Sequence, residues 1–250
     1  NTTVREIMAN TLPVTLELAL YGQLFGVLFG IPLGVLSAVK QDTLTDHATR
    51  VGALAGISVP IFWSGPLLIL LFAQVLGVLP TSGRISSVYN VAAIRTTGMV
   101  TVDTLIAGEW EMFRSAVRHM FLPSIVIGVY STALISRMMR SSMLEVVRQD
   151  YMRTARAKGQ GAKITVLKHG FRNALIPVVT IIGIQFGGLL GGAVLTETVF
   201  AIGGIGTLLV EAIRVGDYPI VPGTVLTFAL LFTLVNPAVD VTSPYLDPRV

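Results

Sequence analysis

The sequence has no cysteine among its 250 residues, which excludes disulfide bonds, thiolate metal ligands and cysteine nucleophiles. Charged residues are also scarce, at 13% of the chain, whereas soluble domains carry about 25%. The three histidines, His47, His119 and His169, are far apart in sequence and include no pair with metal-ligand spacing. We therefore expect neither a metal site nor a soluble domain.

Hydrophobic residues make up 52% of the chain, and the mean hydropathy is +0.74. Several apolar runs approach or exceed the roughly 20 residues that an α-helix needs to cross a hydrocarbon core of about 30 Å. Lys and Arg are concentrated between these runs, so the net charge of +4 reflects insertion into a lipid bilayer rather than nucleic-acid binding. The sequence predicts an all-α polytopic membrane protein with no nucleic acid as a partner.

Five membrane spans are predicted. They run over about 11–39, 48–78, 119–143, 173–200 and 219–241. Pro60 and Pro66 predict a bent or broken helix in the second span, because proline cannot donate a backbone hydrogen bond. The sequence begins at Asn1 without an initiating Met, and five spans would place the N-terminus outside the cell. We therefore expect a sixth, N-terminal helix that this sequence lacks.

A basic polar segment separates the third span from the fourth. Between Arg137 and Arg172 lie nine of the chain's 18 Lys and Arg residues, and the acids Glu145 and Asp150. Because short loops rich in Lys and Arg stay in the cytoplasm, residues 145–172 are predicted to be a cytoplasmic loop. Alternation of the spans then makes 79–118 an extracytoplasmic loop, places the C-terminus in the cytoplasm, and makes residues 1–250 one transmembrane domain.

The basic segment is predicted to form two short helices. Asp150 can cap a helix that starts at Tyr151, and Gly159 and Gly161 can end it, because glycine tolerates the left-handed conformation. A second helix is expected from near Ala162. Its apolar stripe would consist of Ile164, Leu167 and Phe171. Basic residues would border that stripe: Lys163, Lys168 and Arg172.

The run from Asp150 to Pro177, DYMRTARAKGQGAKITVLKHGFRNALIP, resembles the cytoplasmic coupling loop of ABC importer permeases, in particular the dipeptide and oligopeptide permease family. In the general importer pattern a Glu-Ala-Ala triplet precedes a glycine. Here Arg153, Thr154 and Ala155 occupy the triplet positions, and Gly159 falls on the glycine. Resemblance extends over nearly the whole chain, and the long loop 79–118 is similar to that of the B-type subunit.

The resemblance implies the transmembrane domain of a type I ABC importer, forming half of a translocation pathway by alternating access in a bacterial plasma (inner) membrane. It also implies a second homologous permease subunit, two ATP-binding subunits and an extracytoplasmic substrate-binding protein. This sequence has no G-x-x-x-x-G-K-[ST] phosphate loop, so we expect no enzyme and no cofactor here, with ATP and Mg²⁺ on the partner ATPases. The residues expected to couple to the ATPase are Asp150, Tyr151, Arg153, Thr154, Ala155, Lys158 and Gly159.

Several residues within the spans have two interpretations. Glu17 and Glu197 are carboxylates whose burial in lipid would cost about 2.5 kcal/mol or more, so each either lines the translocation pathway or makes a structural hydrogen bond. Arg137 and Arg140 are either snorkelling anchors or gate contacts. Two interleaved G-x-x-x-G patterns predict helix packing against the partner permease. Their glycines are Gly187, Gly188, Gly191 and Gly192.

Other functions remain open at this point. A proton-coupled secondary transporter could use Glu17 and Glu197 as a proton relay and need no ATPase. A permease of the same family could instead carry a nickel chelate, glutathione or haem. A membrane enzyme is disfavoured, because the sequence shows no Ser/His/Asp set, H-E-x-x-H motif or paired intramembrane aspartates.

Overall fold

The computed structural model describes residues 3–161 and 164–246, and these residues form helices and connections without a β-strand. The α-helices are α1 (Val4–Val39), α2 (Leu44–Ser58), α3 (Ile61–Leu68), α4 (Val100–Ile106), α5 (Trp110–Val147), α6 (Asp150–Ala157), α7 (Arg172–Phe200), α8 (Ile205–Val215) and α9 (Ile220–Leu246). A π-helical segment, Ile69–Val75, extends α3, and a second, Thr165–Phe171, leads into α7. A 3₁₀ turn covers Val91–Ile94.

The predicted polytopic membrane architecture is confirmed. Three helical stretches in the described residues are long and apolar enough to cross a membrane: Val4–Val39, Trp110–Val147 and Thr165–Phe200. The part of α9 over Ile220–Leu234 is a shorter apolar stretch. Helices α1, α2 and α5 begin four to nine residues earlier than the spans predicted from hydropathy, since backbone hydrogen bonding continues through polar turns that hydropathy does not mark.

The expected break in the second span is present at Pro60. Helix α2 ends at Ser58 and α3 begins at Ile61, and together they are long and apolar enough for one broken span. Pro60 provides no backbone N–H, and it disfavours the helical conformation at Val59. Its own backbone is extended, with φ −66° and ψ 138°.

The chain divides into two compact units. Unit 1 takes the residues up to Gln23, Val59–Gly128 and Phe186–Thr233, while unit 2 takes Leu24–Ser58, Val129–Gln185 and the residues from Leu234 onward. Each of the long helices α1, α5 and α7 therefore contributes residues to both units. The predicted extracytoplasmic loop belongs to unit 1, and the predicted cytoplasmic loop belongs to unit 2.

Each unit has its own hydrophobic core. In unit 1, the largest buried side chains include Leu18, Met120 and Phe200. In unit 2, Ile135 and Met139 of α5 pack with other buried residues of α1, α5 and α7. In a soluble protein, burying a side chain of this size stabilises the fold by about 1.5–3 kcal/mol, because its apolar surface leaves water. In lipid, where water is absent, close contact between helices provides the attraction instead.

Glycines bring α1 and α5 close together within unit 2. Gly26, Gly30 and Gly34 recur at every fourth residue of α1, so they share one face of that helix. A Cβ on Gly30 would lie 2.9 Å from the Cβ of Ile135, and Gly26 and Gly34 are crowded by α5 in the same way. Larger residues at these positions would separate the two helices. This row of glycines was not predicted, although its four-residue spacing is the same small-residue pattern that predicted helix packing near Gly187.

Candidate functional site

The segment predicted to couple to an ATPase, residues 150–159, forms the helix α6 followed by a glycine turn. The helix includes Asp150 itself, rather than starting at Tyr151, and Asp150 lies 3.9 Å from Arg153 in an exposed ion pair. Gly159 has φ +80°, and the N–H of Gln160 donates to the carbonyl of Ala155. No atom lies within 4 Å of where a Cβ on Gly159 would be, so backbone conformation rather than crowding favours glycine here.

One side of α6 is fixed to the segment that follows it. The Met152 side chain is fully buried, and its terminal methyl lies 3.3 Å from where a Cβ on Gly170 would be. Asn173 Nδ2 donates to the Tyr151 hydroxyl at 3.1 Å. Because only two residues separate α5 from α6, the helix is attached closely both to α5 and to the start of α7.

The other side of α6 is open to solvent. Arg153 and Thr154 are exposed, as is Lys158 just after the helix, while Ala155 is half-buried. The exposed fraction of the Arg153 side chain is 78%. A partner protein could therefore reach three of the predicted coupling residues without any rearrangement of this chain.

The second predicted helix differs from expectation. Its predicted start, Ala162, and Lys163 lie outside the described residues, and Thr165–Phe171 is π-helical instead of α-helical. A π-helix changes the angular spacing of side chains, so the predicted i, i+3, i+7 stripe does not share a face. Ile164 and Leu167 are exposed, whereas Phe171 packs against the core of unit 2.

A cavity of about 500 Å³ lies beside the start of α6 in unit 2. Its charged lining comes from the end of α5 and the beginning of α6. The charged residues are Arg140, Glu145, Arg148 and Asp150. The mixed signs of these side chains favour a polar partner surface rather than lipid.

Glu17, predicted either to line the pathway or to be structural, is buried in unit 1 and has four hydrogen-bond donors. Arg84 Nη2 donates to it at 3.1 Å, and the backbone N–H groups of Val100 and Thr101 donate at 3.2 and 2.7 Å. The Thr101 hydroxyl adds a fourth bond at 2.5 Å. Met99, which precedes α4, has no side chain that can cap the helix, so Glu17 of α1 satisfies its first N–H groups.

Glu197, near the end of α7, has a comparable role toward the beginning of α8, also within unit 1. Its carboxylate accepts hydrogen bonds from the Thr15 hydroxyl at 2.5 Å and from the Thr207 N–H at 3.0 Å. Thr15 in turn accepts from the N–H of Ile205 at 2.9 Å. Gly204 precedes α8 and has no side chain, so residues of α1 and α7 provide the cap. Among the described residues, Glu197 has no cationic partner.

Asp103 binds the loop just before α4. It accepts hydrogen bonds from the Thr97 N–H and hydroxyl at 2.6 and 2.7 Å, and from the Gly98 N–H at 3.0 Å. Burial acts to raise the pKa of Asp103, but these hydrogen bonds outweigh it and hold the pKa below its ordinary value. The predicted extracytoplasmic loop is therefore fixed to its own backbone by one carboxylate, Asp103, and to α1 by another, Glu17.

Unit 2 contains a buried ion pair that was not predicted from the sequence. Asp46, at the start of α2, is fully buried and accepts from Nε and Nη2 of Arg140 at 2.8 and 2.7 Å. The Ser37 hydroxyl donates to the same carboxylate at 2.5 Å, and the Asp42 N–H donates at 3.0 Å. Arg140 is thus an internal partner of Asp46 rather than a snorkelling anchor. The sequence shows Asp46 as an acid in a short connection and Arg140 as an arginine at the end of a span, but neither feature indicates which residue it pairs with.

The four glycines predicted to pack against a partner permease are in different surroundings. A Cβ on Gly187 would meet the ring of Phe232, so Gly187 packs within this chain. Gly188, Gly191 and Gly192 have open space on their Cβ side. Contact with a second permease stays a prediction for these three residues.

Comparison with known proteins gives a family and several relatives. The family model described as "Binding-protein-dependent transport system inner membrane component" matches residues 30–250. The di/tripeptide transport system permease protein DppB of Pseudomonas aeruginosa is 49% identical over 238 residues, which are 95% of this chain and 70% of that protein. The dipeptide transport system permease protein DppB of Escherichia coli K12 is 48% identical, over 94% of this chain and 70% of its own length.

Solved structures show the same fold. The MetNI methionine ABC transporter contains a chain that superposes with a TM-score of 0.70 at 18% identity, covering 96% of both chains. A chain of an amino acid ABC transporter, crystallised with histidines, superposes with a TM-score of 0.62 at 11% identity, covering 98% of this chain and 94% of its own. These likenesses confirm the predicted fold class of a type I ABC importer membrane domain.

Proposed function

The chain belongs to the family of binding-protein-dependent transport system inner membrane components, and we propose that within this family it is a permease of an ATP-driven importer of di- and oligopeptides. The names of the DppB relatives, at 48–49% identity, support short peptides as the cargo. The glutathione transport system permease protein GsiC of Escherichia coli, at 38% identity over 98% of this chain, makes glutathione the main alternative.

Energy would come from partner subunits. The sequence contains no phosphate-binding loop, so ATP and Mg²⁺ would bind to two ATPase subunits at the cytoplasmic face. A second homologous permease would supply the other half of the pathway, and an extracytoplasmic binding protein would deliver the peptide. This arrangement requires residues 145–172 and the C-terminus to lie in the cytoplasm, as the charge of that loop predicts.

The observation that carries the proposal is the exposed outer side of α6 on a helix whose inner side is fixed. In this mechanism Arg153, Thr154 and Lys158 enter a cleft of an ATPase subunit. ATP-driven closure of the ATPases displaces α6, and the short connection to α5 and the Met152 contact transmit that displacement. The permease then alternates between inward and outward access as nucleotide shifts the balance between two states.

The proposal is tested in the intact assembly with Ala155→Asp. A carboxylate forced into an interface should lower both ATP-dependent peptide uptake and peptide-stimulated ATP hydrolysis at least about tenfold, because a buried unpaired charge costs several kcal/mol. Lys40→Glu, at an exposed position in the α1–α2 connection, is the matched control and should leave both rates unchanged. If Ala155→Asp left both activities intact, the coupling role of α6 would be refuted.

A separate experiment tests whether peptide uptake depends on ATP. Uptake should stop when ATP is depleted and persist when an uncoupler removes the proton gradient. The opposite pattern would favour the proton-coupled carrier, in which Glu17 and Glu197 would form the relay. If uptake is ATP-driven, competition between glutathione and a labelled dipeptide for uptake distinguishes a glutathione permease from a peptide permease.

A further inference from the structure

A large cavity lies within unit 1, in and beside the predicted extracytoplasmic loop. Its volume is about 710 Å³, which is within the usual range of small-molecule sites, about 300–1,000 Å³. The first turns of α5 form one wall, and residues 77–80 with part of 86–89 form the other. The polar residues on the α5 wall are Glu111, Arg114, Ser115, Arg118 and His119.

The charged residues of the α5 wall follow the helical repeat. Glu111, Arg114 and Arg118 are spaced at i, i+3 and i+7, so they lie on one face of α5. Arg114 is about 4.5 Å, and Arg118 about 10.5 Å, further along the helix axis than Glu111, at 1.5 Å per residue. The cavity therefore has a negative group at one end and positive groups in the middle and at the other end.

Within the part of the chain that the structure describes, these charged groups keep capacity to bind a ligand. Among those residues, neither the Glu111 carboxylate nor the Arg114 guanidinium has an ion-pair or hydrogen-bond partner. Arg118 Nη2 donates to the carbonyl of Val78 at 2.5 Å, which fixes the guanidinium while its other N–H groups remain for a ligand. The carbonyl of Ser115 accepts from His119 Nδ1 at 2.7 Å, which leaves Nε2 available.

The two walls of the cavity are joined before any ligand arrives. The backbone N–H of Ser86 donates to Ser115 Oγ at 3.2 Å, and the Arg118–Val78 bond makes a second link between the walls. A cavity held open in this way loses less conformational entropy on binding than two separate segments would.

The chemistry that fits is a small zwitterion. A guanidinium pairs with a carboxylate through two parallel N–H···O bonds, and a glutamate pairs with an ammonium group. The two charged ends of an extended dipeptide are about 7 Å apart, at 3.3–3.6 Å per residue. This length lies between the Glu111–Arg114 and Glu111–Arg118 spacings, so long side chains can meet both ends.

We propose that this cavity binds a short peptide by its termini, with the carboxylate on Arg114 and Arg118 and the ammonium group on Glu111. The choice of a peptide among small zwitterions rests on the proposed function of the chain. The site is separate in sequence from the coupling segment, and it would hold peptide on the extracytoplasmic side of the permease. Binding here requires neither ATP nor the solute-binding protein.

The test uses the full permease pair in lipid nanodiscs, without ATPases or binding protein. Binding of Ala-Ala is measured by calorimetry and compared with Ala-Ala amide, which lacks the carboxylate, and N-acetyl-Ala-Ala, which lacks the ammonium group. Ala-Ala should bind at least about tenfold more tightly than either derivative, because each derivative loses one charge-assisted contact.

Variants assign each contact to its residue. Arg114→Gln should weaken Ala-Ala about tenfold and reduce the preference for Ala-Ala over its amide, because only Arg118 then remains for the carboxylate, while the preference over the acetylated peptide persists. Glu111→Gln should do the reverse. Arg95→Gln is the matched control, because Arg95 is an exposed arginine of the same loop that donates to Asn10 outside the cavity, and it should bind Ala-Ala as the unmodified chain does.

Two results would overturn the inference. One is a permease pair that gives no binding heat with Ala-Ala, and the other is an Arg114→Gln variant that prefers Ala-Ala over its amide as strongly as the unmodified chain does. ATP-dependent uptake of Ala-Ala by the complete complex is measured in parallel. Normal uptake together with either result would refute the cavity while leaving the proposed transport function standing, whereas absent uptake would refute the transport function itself.

Discussion

The two units of this chain fix their helices in different ways. In unit 2, α1 and α5 approach closely at a row of glycines, and Asp46 binds Arg140 through two hydrogen bonds. In unit 1, the buried carboxylates Glu17, Asp103 and Glu197 bind mainly backbone N–H groups at or near the starts of short helices. Unit 2 thus joins α2 to α5 through a side-chain ion pair, whereas Glu17 and Glu197 of unit 1 bind backbone N–H groups in the first turns of α4 and α8.

The difference corresponds to what each unit is proposed to do. The segment that would receive force from an ATPase belongs to unit 2, and a force is transmitted well only if the helices beside it keep their spacing. The long loop of unit 1 has no such requirement. Capping by a remote carboxylate holds its short helices in place one at a time, and each can open without the others.

The largest expected effect is loss of the unit 2 ion pair. Asp46→Asn leaves the Arg140 guanidinium, 21% exposed, without its counter-charge, and should destabilise the permease by about 3–5 kcal/mol. The measurement is the thermal unfolding midpoint of the purified complex in detergent. Adding Arg140→Gln to Asp46→Asn should recover part of the loss, because no unpaired charge then remains. Equal stability of the single variant and the unmodified chain would mean that the pair does not hold unit 2 together.

The glycine row gives the next largest effect. Gly30→Leu introduces a side chain where even a Cβ would lie 2.9 Å from Ile135, and should cost about 1–3 kcal/mol through overpacking. Gly188→Leu is the matched change in open space, and it should leave the stability of the isolated chain unaltered. If Gly188→Leu nevertheless reduces copurification of the second permease, the predicted packing role of that glycine is supported. Equal losses of stability for both variants would contradict the close α1–α5 approach.

The carboxylate caps of unit 1 should show smaller and local effects. Glu17→Gln leaves Arg84 without its ion-pair partner and should loosen α4 by about 1–3 kcal/mol. Glu197→Gln leaves no cation unpaired among the described residues and should loosen α8 by about 1 kcal/mol. Hydrogen exchange of the Thr101 and Thr207 amides measures the two effects separately. Faster exchange throughout unit 1 would show that the caps act together rather than one at a time.

The smallest expected effect is the pH dependence of the loop before α4. Because the pKa of Asp103 is held below its ordinary value, its stabilising effect is complete above the unfolded pKa, about 3.9, and is lost as the pH falls through the lower folded pKa. Protection of the Gly98 amide, corrected for intrinsic exchange, should therefore stay constant from neutral pH to about pH 5. Asp103→Asn should lower that protection at neutral pH and remove its decline in acid. A decline between pH 7 and 5 in the unmodified chain would contradict this assignment.

Local patterns predicted several features of the fold. The bend at Pro60 follows from an imino acid that lacks a backbone donor, and the turn at Gly159 follows from a backbone conformation that other residues disfavour. Both depend only on neighbouring residues. The same reasoning failed at Thr165–Phe171, because the spacing of apolar residues indicated an α-helix, whereas the segment is π-helical, a rare form that this spacing does not indicate.

Local patterns did not predict which residues far apart in sequence bind each other. Glu17 and Glu197 were recognised as buried acids, but their donors lie in the loop before α4 and at the start of α8. Arg140 was recognised as the end of a span, while its partner is 94 residues away in the connection between α1 and α2. A single sequence gives the charge and position of each residue, and it gives no distance between them.

The sequence by itself determined that this chain is a helical membrane protein, where its spans lie, and which family its basic loop resembles. Those properties depend on composition and on the order of neighbouring residues, because lipid requires apolar stretches of fixed length and helices form from local hydrogen bonds. Only the tertiary structure decided which carboxylate caps which helix, which glycines pack within the chain, and which charged side chains of the unit 1 cavity have no partner among the residues that the structure describes. These properties depend on distances between residues far apart along the chain, which folding alone establishes.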